Sequence, residues 1–80
     1  MAFFVGYNAM SAARIQREKA LEWMRQRPLS TLQARNELFI MSIAARIFEL
    51  KARGFNIVTH KIKAGSKNIA QYVLLPGDES

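Results

Sequence analysis

The side chains with the plainest chemistry in this sequence are cations. Lys61, Lys63 and Lys67 fall within residues 55–75, a stretch with three lysines and no acid. Ammonium groups spaced in this way neutralise phosphates, and Gly65, Ser66 and Asn68 beside them let a backbone approach a phosphate closely. The sober alternative is that lysines on an edge strand guard against sheet extension. Arg46 and Arg53 offer the planar guanidinium fork. In a duplex major groove such a fork donates to N7 and O6 of guanine. Arg46 is the candidate base reader, and Arg53, further along, suits a phosphate. Glu49 stands at pairing distance along a helix from both arginines and is expected to lace them on an exposed surface. It contacts nucleic acid only by accepting from a cytosine amine. Arg35 is a further phosphate candidate, with Glu37 or a carbonyl as its alternative partner within the fold.

Other chemistries find no support. The chain has no cysteine, which removes thiolate nucleophiles, disulfides and cysteine-based zinc sites. The single histidine, His60, sits between Thr59 and Lys61 with no carboxylate close in sequence. No glycine-rich phosphate loop, metal-ligand cluster or nucleophile motif occurs. The expectation is therefore no catalytic residue, no cofactor and no metal. An enzyme is not expected.

The 80 residues, half of them apolar and 22% charged, suffice for one small globular domain with a thin core. The net charge of +6 favours a polyanionic partner, nucleic acid before an anionic membrane. The longest apolar run, Met1 to Val5, is far shorter than the roughly 20 residues of a membrane span. It also lacks the pattern of a signal peptide. A cytoplasmic protein without membrane contact is expected.

The elements that must position the cations follow from periodicity and punctuation. Residues 1–10 read as an N-terminal arm and 11–75 as the domain, with 76–80 an acidic tail. A first helix is expected from Ser11 to Arg27, capped by Asn8 or Ser11 and stopped by Pro28. Ala20, Leu21 and Met24 form its inward stripe, flanked by Ile15 and Trp23, and Arg14, Arg17, Glu18, Lys19, Glu22 and Arg25 its solvated face. Ser30-Thr31-Leu32-Gln33 is a capping box that starts a short helix reaching about Leu38. Phe39-Ile40-Met41 breaks the pattern. A third helix runs from Ser42 to Gly54, a residue suited to the left-handed position after a helix. From Phe55 the period becomes two: Asn56–Lys63 and Ile69–Leu75 read as strands around a turn at Ala64–Asn68. Leu29-Ser30 is a candidate short strand. The fold class is α+β, a winged helix-turn-helix of three helices followed by a two-stranded β-hairpin wing.

At about 100° per residue, Ile40, Ile43, Ala44, Ile47, Leu50 and Lys51 share the inner side of the third helix. Ser42, Ala45, Arg46, Glu49 and Arg53 share the outer side, and Phe48 lies at the boundary. Ser42 and Ala45 are small enough to admit a groove.

Residues 29–75 also resemble the small winged helix-turn-helix domains encoded in bacteriophages and prophages. The matching pieces are Thr31-Leu32-x-Ala34-Arg35-x-x-Leu38, Ile40, Ala44-Ala45-Arg46-Ile47-x-x-Leu50, Gly54, Ile57-x-Thr59 and the second strand around Tyr72. The resemblance implies a DNA-binding winged helix in a phage or prophage setting. One position departs: Phe39 stands where such domains usually carry glycine. A bulky residue there argues against a left-handed turn or accepts strain to keep it.

The resulting expectation is a sequence-specific double-stranded DNA-binding protein, a phage-type transcriptional regulator with its third helix in the major groove and its wing on phosphate. Its DNA-contacting set is Gln33, Arg35, Ser42, Ala45, Arg46, Glu49, Arg53, Lys61, Lys63, Ser66 and Lys67. Phe3, Phe4 and Val5 of the arm are the candidate contact of a homodimer. Two alternatives stand beside it. One is a protein-binding adaptor using Trp23, Phe39 and Phe48; the other is an accessory protein of excision or replication.

Overall fold

The computed structural model describes residues 2–76, with side chains from residue 12 onward. In chain order these form α1 (Ala2–Met24), β1 (Leu29–Ser30), α2 (Thr31–Glu37), α3 (Ile43–Ala52), β2 (Ile57–Ala64) and β3 (Lys67–Leu74). The strands make one antiparallel sheet in the order β1-β3-β2. This is the expected α+β winged arrangement, and Leu29-Ser30 is the third strand, pairing with Tyr72 and Gln71.

Helix α1 differs from expectation at both ends. It begins at Ala2, so residues 2–10 are helical in backbone; the arm's dimer contact through Phe3, Phe4 and Val5 concerns side chains outside the described residues. The acidic tail from Gly77 lies outside them as well. At the other end α1 stops at Met24, three residues before Arg27. A looser turn follows, in which the Arg25 and Arg27 amides still donate to the Leu21 and Trp23 carbonyls at 2.9 and 3.0 Å. The Trp23 indole Nε1 donates to the Pro28 carbonyl at 2.9 Å, and the Arg27 guanidinium stacks 4.1 Å from the ring centroid. Those two contacts clasp the turn that leads into β1.

The start of α2 is held as the sequence requires. Ser30 Oγ accepts from the Gln33 amide at 3.1 Å, and Gln33 Oε1 accepts from the Ser30 amide at 3.0 Å. Thr31 Oγ1 then donates to the Ala70 carbonyl at 3.3 Å, tying α2 to β3. At its other end Phe39 adopts φ +59°. The left-handed step lets the Ile40 amide reach back to the Ala34 carbonyl at 2.8 Å. Phe39 thus accepts the strain that a glycine would avoid.

The core gathers one to three side chains from each element: Ala20 and Met24 of α1, Leu29 of β1, Ala34 of α2, and Ile43, Ile47 and Leu50 of α3. Ile40, Ile57 and Tyr72 complete it. Leu29, Ile40 and Leu50 are the largest side chains sealed completely. The stripe Ile43–Ile47–Leu50 recurs at helical spacing, so α3 has one orientation that buries all three.

The hairpin is tighter than expected. Ala64 pairs with Lys67, leaving only Gly65 and Ser66 in the turn. Gly65 at φ +68° takes the first central position, where a two-residue hairpin turn favours glycine.

Candidate nucleic-acid interface

Which side of α3 meets solvent depends on α1. Arg17 Nη1 donates to Glu49 Oε1 at 2.6 Å, and Arg46 Nη2 donates to Glu49 Oε2 at 2.9 Å. Arg46 Nη1 also donates to Gln16 Oε1 at 3.2 Å. These four side chains rivet α3 to α1. The Glu49 carboxyl is held below its ordinary value of 4.5, first by the Arg17 hydrogen bond and then by that from Arg46; partial burial opposes them.

Two expectations are corrected by this cluster. Arg46 does not lie on the outward line: its side chain is 18% exposed and committed to Glu49 and Gln16. Glu49 does bond Arg46, but as part of a contact between helices and not as an exposed surface lace. With Arg46 and Glu49 covered by α1, the exposed arc of α3 rotates the other way. Ala44 and Lys51, expected inside, are exposed, and so is Phe48, expected at the boundary. The outward line of α3 is Ala45, Phe48 and Ala52, at spacings that place all three within about 60° of arc.

Arg17, expected on the solvated face of α1, is instead 17% exposed against Glu49, and Gln16 had no expected role. They continue the inward stripe of Ala13, Ala20 and Met24 at helical spacing. Spacing alone was the available signal, and their polarity masked it.

The remaining members of the set divide by position. Ser42 begins α3 exposed and makes no side-chain capping bond. Ala45 is exposed on the outward line. Arg53 is exposed, donating to the Glu49 carbonyl at 3.3 Å. Arg35 projects exposed from α2, and no hydrogen bond or ion pair engages it among the described residues. Gln33 is half-buried with its carbonyl oxygen engaged in the cap, which holds it to the helix start.

On the wing, pairing sorts the lysines. Lys61 lies opposite Ala70 and Lys63 opposite Asn68, in alternation with Thr59–Tyr72 and the buried Ile57. Cross-strand partners share a face, so Lys61 and Lys63 lie on the side of the sheet that meets the helices. Lys67 pairs with Ala64, which puts it on the opposite face with His60. Two of the three lysines thus share the helix side, and the third flanks the turn beside Ser66 on the other face. All three are exposed.

The aromatic patch proposed for an adaptor also separates. Trp23 is locked against Pro28 and Arg27, whereas Phe39 and Phe48 are 72% and 74% exposed. A groove between α1 and α2 is lined by Glu18, Glu22 and Glu37 together with Lys19 and Arg27; three carboxylates make it a poor seat for a polyanion.

No helix among the described residues is long and apolar enough to cross a membrane. No curated protein and no solved structure matches the chain significantly. The family model for the winged helix-turn-helix domain matches residues 15–76. That span contains the cap of α2, the turn at Phe39, α3 and the whole wing. Helix-turn-helix modules of this kind bind DNA with the second helix of the motif toward the major groove. By fold, by topology and by this match, the chain belongs to the winged helix-turn-helix domain family.

Proposed function

We propose that the protein is a sequence-specific double-stranded DNA-binding regulator of the phage or prophage type, with α3 in the major groove and the wing on the backbone. It works by binding and not by catalysis. The observation that carries the reading is the arrangement of charge around α3. The one acid of that helix, Glu49, is turned against α1 and neutralised by Arg17 and Arg46, so α3 presents no free carboxylate to a duplex. The exposed cations include Lys51 on α3, Arg53 at its end, Arg35 on α2, and Lys61 and Lys63 on the helix side of the wing. Ser66 and Lys67 at the turn add a close backbone approach and a further charge.

The test is duplex binding as a function of salt. Four phosphate contacts, from Arg35, Arg53, Lys61 and Lys63, give a slope of log K against log salt of about −3.6; Lys67 as a fifth gives about −4.5. Lys61→Ala and Lys63→Ala each reduce the slope by about one and weaken all sequences alike. Affinity that does not change with salt refutes the reading. The exposed Phe39 and Phe48 favour a second reading, a protein-binding adaptor. It predicts salt-insensitive capture of a partner chain and no duplex binding.

A further inference from the structure

Base readout by a helix in the major groove needs either hydrogen-bonding groups or apolar ones, and α3 is short of the first. Arg46, the residue with the best donor fork, is bound to Glu49 and Gln16. Gln33 is engaged in its cap. The outward line offers Ala45, Phe48 and Ala52, with Phe48 74% exposed, and Met41, 64% exposed, precedes the helix. Phe39, 72% exposed, stands in the turn that leads into the helix. Ser42 and Lys51 are the polar groups beside the line.

Among the groups on a base-pair edge in the major groove, one is apolar: the methyl at C5 of thymine. We propose that α3 recognises its sites through C5-methyl groups of pyrimidines, with Ala45 and Phe48 as the specificity-determining residues, so that the preferred duplexes are rich in A·T pairs. This inference rests on the DNA-binding reading and says which bases that reading selects.

Charge argues for a duplex over a protein as the occupant of this face. An apolar patch that docks on a protein has no need for its only acid to be pulled away and doubly paired. A helix entering a groove between phosphate rails does. Lys51, exposed on the same helix beside the line, complements those rails, while the centre of the patch is apolar. Phe39 adds a second indication. A non-glycine residue in the left-handed region costs stability, and a ring kept there while 72% exposed contributes little packing in return. Strain retained at an exposed position points to use at a surface.

The experiment uses two pairs of synthetic duplexes that differ only in the methyl group. One pair is alternating dA-dT against alternating dA-dU. The other is alternating dG-dC against the same polymer with 5-methylcytosine, which places a methyl where thymine carries one. The full chain is titrated with each by fluorescence anisotropy at fixed salt. The expected result is tighter binding to the methylated member of both pairs, by about fourfold per methyl buried. Phe48→Ala, at an exposed position, keeps its melting temperature and its salt slope while the methyl preference falls toward unity.

Equal affinity within both pairs, with duplex binding intact, overturns the inference and leaves the DNA-binding reading standing. A methyl preference that persists unchanged in Phe48→Ala and in Ala45→Ser also overturns it, since the preference then comes from duplex shape. Absence of binding to all four duplexes at low salt refutes both. If Phe48→Ala instead converts an oligomer into a monomer by light scattering, with no methyl effect in the parent, the patch is a contact between proteins and the inference fails.

Discussion

Replacing Phe39 by alanine and by glycine separates its backbone from its ring. Both variants remove the phenyl group and the small part of it that is buried, so that loss cancels in the comparison. What differs is the cost of φ +59°. A residue with a Cβ spends about 1–2 kcal/mol in the left-handed region, and glycine spends essentially nothing. Glycine returns about 0.4–1 kcal/mol of this through the greater freedom of its unfolded chain. The net expectation is that Phe39→Gly is more stable than Phe39→Ala by about 0.5–1 kcal/mol. At an ordinary helical position the order is the reverse, with alanine ahead by roughly the same amount. The prediction is thus one of sign. In a domain of this size 1 kcal/mol moves the melting temperature by about 4–8 °C, well within reach of circular dichroism. Urea midpoints at equal m-values provide the second measure. If the alanine variant melts at or above the glycine variant, the turn is not left-handed in solution and the placement of α3 argued from it is wrong.

Arg46→Ala lowers the melting temperature by breaking the tie to Glu49 and Gln16, yet keeps the ratio of affinities among duplex sequences; a collapse of that ratio in a folded variant shows that Arg46 reads bases after all. Because the Glu49 carboxyl titrates below 4.5 in the fold, its stabilising pairing is complete above that value and lost as pH falls through the lower folded one. The melting-temperature gap between the parent and Glu49→Gln should therefore be open at neutral pH and close on acidification, and a constant gap contradicts the pairing. Ser30→Ala removes an N-cap whose bond is formed, and costs about 1 kcal/mol by urea denaturation; a cost near zero means that water replaces the cap.

The features that local chemistry determines were legible in the sequence. The capping box at Ser30 and Gln33 and the hairpin each depend on residues near one another in the chain or on a strong alternation. The short strand at Leu29-Ser30, by contrast, pairs with distant Tyr72 and Gln71 and was legible only through the fold class. The face that α3 exposes was not legible, because it depends on Gln16 and Arg17, about thirty positions earlier. A helical wheel drawn from α3 alone has two apolar arcs, one through Ile43, Ile47 and Leu50 and one through Ala45, Phe48 and Ala52. Only the packing of α1 shows that the polar pair Arg46 and Glu49 lies between the first arc and the neighbouring helix. The side of Lys67 was hidden for a different reason. In a strand, side chains alternate, so the length of the turn sets which face a residue takes. A five-residue turn keeps Lys67 inside the loop with no strand face, whereas the two-residue turn places it in β3 on the face away from the helices. Both are compatible with Ala64-Gly65-Ser66-Lys67-Asn68.

The cluster of Arg17, Arg46 and Glu49 links stability to function through a single arrangement. Pairing Glu49 inward fixes the rotation of α3 about its axis, because the helix cannot turn without exposing Ile43 or Ile47 or stranding the ions. The same rotation removes the helix's negative charge from the surface and sets Ala45 and Phe48 outermost. A mutation in this cluster acts therefore on two quantities together, the melting temperature and the electrostatic field in front of α3. Arg17→Met makes the coupling visible: it leaves Glu49 with one partner, so the carboxylate regains part of its field at the surface. Duplex affinity should then fall at low salt and recover relative to the parent as salt screens the charge. A loss of affinity equal at all salt concentrations instead assigns the effect to unfolding, and separates the role of the ions in holding α3 from their role in clearing its face.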